Sequence, residues 1–273
     1  MRAFLLSLLL SLTVPAKAQE TSRIISLGSS VTEILYALGV QEQIVAADTG
    51  SQYPEAAKSL PKVGYVRTLS AEGLLSLQPK LIIGTTEAGP PQTLAYLKEA
   101  GVELLILPEE HTLEGVEAKI TAIGHRLNRN EEAQKCVRQL REVREKLATL
   151  PASQPKSVFV SSRGANGLMA AGTDTAAHAM LSLAGAKNVA DSYTGYKPLS
   201  AEYLTMAEPD VIVTGKRTLE TSGGLDAFLK HPALENTPAG KNKRVVVLDD
   251  IYLLGFGPRA GQAALDLSEA IQK

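Results

Sequence analysis

Gly64-Tyr65-Val66-Arg67-Thr68-Leu69-Ser70-Ala71-Glu72 and Gly195-Tyr196-Lys197-Pro198-Leu199-Ser200-Ala201-Glu202 are two copies of one pattern, half a chain apart. Both copies continue alike. Pro79 and Pro209 each follow their glutamate by seven residues, and apolar runs, Leu81-Ile82-Ile83-Gly84 and Val211-Ile212-Val213-Thr214-Gly215, close the two units. Such short, continuous, β-branched runs suit strands buried on both faces of a parallel sheet. Turn, helix, proline and strand thus recur as a unit, and the chain reads as two lobes of related design. Each lobe presents an acid, Glu72 or Glu202, at the start of a matching helix. Two-lobed proteins commonly hold a ligand between the lobes.

Working outward from the first copy, strand-like and helix-like runs alternate over 23–27, 30–38, 44–47, 71–77, 81–85, 92–100 and 102–107. That alternation predicts a largely parallel sheet flanked by helices. Ser30 with Glu33 has the spacing of a capping box, and Gly39 ends the helix. From Thr112 to Leu150 the chain is charged and helix-favouring, with opposite charges at helical spacing, until Pro151 and Pro155 stop it. Beyond them the alternation resumes, ending in a helix from Gly261. The expected fold class is α/β: two Rossmann-like lobes joined by a single long interlobe helix, with a ligand cleft between the lobes. The expected parts are a signal peptide (1–18), an N-terminal α/β lobe (19–125), the interlobe helix (126–152) and a C-terminal α/β lobe (153–273). A helical connector resists bending, so lobe closure should be modest.

The first residues predict the compartment. Arg2 leads into an apolar stretch from Ala3 to Val14, and small residues at Ala16 and Ala18 fit signal-peptidase cleavage before Gln19. The apolar stretch is too short to span a bilayer. With no cysteine near the cleavage point, the expected product is a free protein of a Gram-negative periplasm rather than a lipid-anchored one. Cys136, the only cysteine, rules out an internal disulfide and any cysteine-based zinc or iron–sulfur site. Of the 28 basic groups two, Arg2 and Lys17, lie in the leader, against 29 acidic groups, so the mature chain is slightly acidic and nothing points to nucleic acid. The length suits two domains of roughly 100–120 residues, each able to bury a core.

No Gly-x-Ser-x-Gly elbow, HExxH motif or glycine-rich phosphate loop is present, which argues against the remote alternative of a secreted α/β enzyme. His111, His125, His178 and His231 are dispersed, without metal-ligand spacing, so a carrier of bare zinc or manganese is disfavoured. His178, among Ala176, Ala177, Ala179 and Met180, reads as a packed helix residue.

The segment Arg23-Ile24-Ile25-Ser26-Leu27, followed by Ser30-Val31-Thr32-Glu33-Ile34-Leu35-Tyr36-Ala37-Leu38-Gly39, resembles the opening of the helical-backbone periplasmic binding proteins of vitamin B12, iron–siderophore and haem importers. Within them, Val63 to Gly73, Met169-Ala170-Ala171-Gly172, Gly195 to Glu202 and Asp249-Asp250-Ile251-Tyr252-Leu253-Leu254-Gly255-Phe256-Gly257-Pro258-Arg259 resemble the haem-binding branch. The resemblance covers the whole mature chain. It implies a binding protein, not an enzyme, that captures ferric haem b in the cleft and delivers it to an ABC haem permease, with an outer-membrane haem receptor upstream.

By the same resemblance, Tyr65 is the axial ligand of the haem iron. The chemistry agrees: ferric iron is a hard acid, and tyrosinate is a known haem ligand. An isolated phenol titrates near ~10, so the iron and a nearby cation must hold the phenolate; Arg217 matches a family position that does this. Tyr196 stands at nearly the same place in the second copy and is expected on the opposite wall. Arg67 and Arg163, by charge and loop position, are candidates for the haem propionates. The loop around Arg163 has no histidine, unlike some relatives, so no second axial ligand is expected from it. Glu72 and Glu202 could simply stabilise their helices through the macrodipole. Their pairing instead matches acids that engage arginines on the two permease subunits, as a pseudo-twofold carrier meeting a twofold transporter requires. An iron–siderophore or corrinoid carrier of the same fold is the main alternative, and Tyr65 in its Gly-Tyr-Val-Arg setting argues against it.

Overall fold

The computed structural model describes residues 23–150, 154–162 and 167–273. The expected leader and Arg163 lie outside the described residues. In the first half, β1 (Ile24–Leu27), α1 (Ser29–Ala37), β2 (Ile44–Ala47), α2 (Ala71–Ser76), β3 (Leu81–Thr85), α3 (Pro91–Glu99) and β4 (Glu103–Leu107) alternate as the pattern predicts. The sheet order is β2-β1-β3-β4, parallel throughout. Every residue of β1 and β3 is buried, the signature of strands covered on both faces. Strand order reverses between β1 and β3, and the crevice beyond the carboxyl ends of strands at such a point is where open α/β sheets bind ligands.

α4 (Leu113–Arg126) and α5 (Asn130–Ala148) follow. The helix-favouring stretch from Thr112 to Leu150 thus holds two helices, α5 filling most of the expected 126–152, and they separate where Asn128 takes the left-handed region at φ 55°. The charges of α5 also pair across to α4 rather than only along their own helix: Arg141 and Arg144 reach Glu117 at 2.9 and 3.3 Å. The same side of α5 buries Ala133, Val137 and Leu140, with the arginines at the margin of that packed face. Cys136 is half-buried there, and burial pushes its thiol pKa up.

The second half contains β5 (Lys156–Ser162), β6 (Leu168–Ala171), α6 (Ala176–Leu183), β7 (Lys187–Asn188), β8 (Tyr196–Pro198), α7 (Ala201–Ala207), β9 (Val211–Gly215), α8 (Lys216–Thr221), α9 (Leu225–Leu229), α10 (Pro238–Lys241), β10 (Val245–Leu248), α11 (Asp250–Leu254) and α12 (Ala260–Gln272). Its sheet runs β10-β9-β5-β6-β8, with β7 also on β5. β10, β9 and β5 are parallel, but β6 pairs antiparallel with both β5 and β8, so this sheet is mixed rather than parallel.

The repeated units take the same form. Ser70 caps α2 by accepting from the Gly73 N–H (3.4 Å), and Ser200 caps α7 by accepting from the Tyr203 N–H (3.1 Å). Leu74 and Leu204 anchor the two helices in the core. Gln78 and Glu208 then turn the chain at φ 48° and 50° before the two prolines.

One buried apolar cluster runs through both halves. It joins Ile24 and Ile34 with Val137 and Leu140 of α5 and with Phe159, Met180 and Leu267. Where α12 crosses α5, a Cβ on Gly261 would stand 2.9 Å from Val143, so glycine permits that close approach. No helix among the described residues is long and apolar enough to cross a membrane.

The expected capping box at Ser30 and Glu33 does not form. α1 begins at Ser29, preceded by Gly28, and no side chain caps it. Glu33 lies two residues past the third helical position that a capping box needs and instead accepts from Arg259, in the second half, through Nε (2.9 Å), Nη2 (3.0 Å) and the backbone N–H (3.2 Å).

Candidate functional site

The loop after β2 determines where Tyr65 stands, and a buried polar network fixes that loop. Asp48, almost wholly buried, accepts from the N–H groups of Gly28 and Gly50 (both 2.8 Å) and from the Ser51 hydroxyl (2.5 Å). Gly28 turns from strand to helix at φ 111°, a conformation that suits glycine. Ser51 continues to Thr32 (2.7 Å) and Thr32 to Ser26 (2.6 Å), so β1, α1 and the loop share one hydroxyl chain. Lys62 Nζ closes the loop by donating to the carbonyls of Ser51 and Ala57 (2.8 and 2.9 Å). The Thr49 N–H then donates to Gly64 O (2.9 Å), directly before Tyr65. Tyr65 keeps 53% of its surface exposed, so its phenol is accessible from solvent.

Tyr65 faces a cleft. The wider part, ≈740 Å³, has Tyr65, Arg67, Glu87 and His111 on the first-half wall, and Asp174, Thr175 and Tyr196 on the second-half wall. A narrower recess of ≈170 Å³ continues inward past Tyr65 and His111 to Ser30, Asp48 and Glu109. It lies beyond the ends of β1 and β3, where the strand-order rule places a ligand. Both tyrosines of the repeat therefore border one cavity, from opposite sides.

The other expected residues are placed less simply. Arg67 borders the cleft but forms an ion pair with Glu87. Arg217, exposed on α8, is not among the residues bordering this cleft, and its backbone N–H donates to Asp250 Oδ2 (3.1 Å). Glu72 and Glu202 are exposed in the first turns of α2 and α7.

Two residues of the wall were not singled out from sequence. His111 is half-buried, its ring tilted at 58° against Phe256 with centroids 5.1 Å apart. Desolvation pushes its pKa down, with Lys119 adding to this and Glu109 and Glu87 opposing it, a balance that favours the neutral imidazole. Glu109 is anchored from behind by Lys119, buried to 2% exposure, whose Nζ lies 2.5 Å from it. The second missed residue is Glu87. The signal for both is position: each follows the carboxyl end of a parallel strand, β4 or β3. His178 packs as expected, Nδ1 against the Asn188 amide at 3.1 Å. No group of three or more His, Cys, Asp or Glu side chains among the described residues could hold a bare metal ion.

The family model for periplasmic binding proteins matches residues 24–252. Among solved structures, the chain is similar to the periplasmic haem-binding protein RhuT from Roseiflexus sp. RS-1 in apo form, with 41% identity, a TM-score of 0.87 and 92% of this chain covering 97% of that one. It is also similar to the periplasmic haem-binding protein HutB of Vibrio cholerae: 36% identity, TM-score 0.84, 93% of this chain and 100% of that one. A vitamin B12-binding protein of Yersinia pseudotuberculosis is 31% identical over 217 residues, 78% of this chain and 75% of that protein. These are binding proteins of transport systems, not enzymes.

Proposed function

The chain belongs to the periplasmic binding protein family, and from that premise we propose that it captures ferric haem between its lobes and delivers it to an ABC-type permease. The observation that carries this reading is the cleft itself: an exposed tyrosine on a rigidly held loop, opposite a second tyrosine, in a cavity where the described residues form no metal-ligand cluster. Haem is cargo here, and the residues present suit it. Tyr65 supplies a hard anionic oxygen to ferric iron. Tyr196 covers the porphyrin from the other lobe. Arg67 takes a propionate, and Arg163 is assigned the second. Phenolate ligation favours the ferric state, which suits a carrier that must not activate oxygen. The similarity to HutB and RhuT, both named for haem, supports haem over other chelates.

The vitamin B12-binding relative supplies the second reading, a corrinoid carrier. Native mass spectrometry of the mature protein, incubated with equimolar ferric haem, cyanocobalamin and a ferric siderophore, separates them. The haem adduct should dominate; a cobalamin adduct at the expense of haem would reverse the assignment.

Delivery is assigned to Glu72 and Glu202, which dock onto basic side chains of the two permease subunits. Their capped, core-anchored helices hold the acids at equivalent positions of the two lobes. The double charge reversal Glu72→Arg with Glu202→Arg should lower haem transport into proteoliposomes by at least about tenfold, since like charges at a docking surface cost several kcal/mol. Haem affinity should be unchanged. Undiminished transport would remove these acids from the docking surface.

A further inference from the structure

We propose that Glu87 is an internal stand-in for a haem carboxylate: it holds the Arg67 guanidinium while the cleft is empty and yields it to an incoming propionate. The proposal rests on the haem reading above. Its basis is the ion pair between Arg67 Nη2 and Glu87 Oε1 on the cleft wall, where Arg67 is the only permanently charged cation among the described residues bordering the wider cavity.

Backbone hydrogen bonds make this pairing a built feature. Glu87 sits just beyond β3, with its N–H 3.4 Å from Thr85 Oγ1. Two residues on, the Gly89 N–H donates to Val66 O (2.9 Å) and Gly89 O accepts from the Leu69 N–H (2.9 Å). The Thr93 hydroxyl adds a bond to Leu69 O (3.2 Å). The two loops are laced together beside the pair, so Arg67 and Glu87 are presented to each other by one rigid body. The side chains themselves stay accessible, at 55% and 40% exposure. A ligand can therefore displace Glu87 without prying open a buried contact.

The exchange replaces one carboxylate by another. A propionate recovers the charge-assisted bond that Glu87 gives up, so Arg67 keeps its geometry in both states. Two consequences follow. A ligand without an acidic arm at this position leaves the pair intact and gains nothing from Arg67, which makes the pair a specificity element. A ligand with one must outcompete Glu87 and then sit beside its freed negative charge, which tempers affinity in a protein that has to release its cargo.

The test compares wild type, Glu87→Gln, Arg67→Ala and the double variant, titrated with ferric haem and with ferric haem dimethyl ester, which lacks the propionate charges. Glu87→Gln should bind haem about fivefold tighter, the scale of an exposed ion pair. The gain should vanish for the ester and shrink in the double variant relative to Arg67→Ala, with the absorption bands of the Tyr65-ligated iron unchanged throughout. Unchanged or weaker haem binding by Glu87→Gln, or an equal gain with the ester, overturns the exchange while leaving haem carriage standing. Wild type that binds neither compound sinks the haem reading itself.

Discussion

Arg259→Ala should destabilise the protein by about 3 kcal/mol and lower its Tm by roughly 6–12 °C. Glu33 is only 7% exposed, and among the described residues Arg259 supplies all three of the hydrogen bonds its carboxylate accepts, two of them from the side chain. The guanidinium also lies over the Tyr53 ring, 3.3 Å from its centroid, and 4.9 Å from that of Tyr252. Truncation leaves a buried carboxylate with a single backbone donor and strips the cation from two rings. Breaking a buried pair from one side is the costly case, typically about 3–5 kcal/mol, and the lower end applies because Arg259 keeps 30% of its side chain exposed. Replacing both partners, as Glu33→Leu with Arg259→Met, should recover much of the loss, since no unpaired charge remains. Calorimetric unfolding of the wild type and the two variants measures this. A Tm for Arg259→Ala within a degree or two of wild type would show that the pair contributes little.

The second large effect is on binding. Tyr65→Phe keeps the ring and removes only the oxygen that we assign to iron, so haem affinity should fall by about 100-fold or more, beyond what loss of an outer-shell partner does. Stability should barely change, because the side chain is half exposed and Asp48, Ser51 and Lys62 hold the loop without it. Equilibrium binding beside thermal unfolding separates the two. A tenfold or smaller loss would assign the iron to another side chain, with the His111 imidazole on the same wall the first to examine.

Local pattern carried much of the architecture. The repeat around Leu69-Ser70-Ala71-Glu72 announced two related units because each is a short-range device, a serine cap, a buried leucine and a turn before proline, legible within a dozen residues. Tyr65 and Tyr196 were legible for the same reason, as matching positions in the two copies. What sequence could not supply were pairings across long separations. Ser30 and Glu33 have capping-box spacing, yet Glu33 is claimed by a partner 226 residues away. The second sheet turns antiparallel at β6, which runs opposite to both β5 and β8, a choice that strand-like composition does not encode. The break at Asn128 interrupts a stretch whose charges suit one helix, because α5 must cross α4 and pair Arg141 and Arg144 with Glu117. Glu87 and His111 are single residues without a motif, and only the parallel order of β3 and β4 puts them beside Tyr65.

A visible-absorption titration of ferric haem into the mature wild-type protein tests the central claim most directly. The account predicts saturation at a fixed stoichiometry, with the Soret and charge-transfer bands of high-spin ferric haem bound to tyrosinate. A spectrum that never saturates, or one that saturates without the tyrosinate bands, would contradict it.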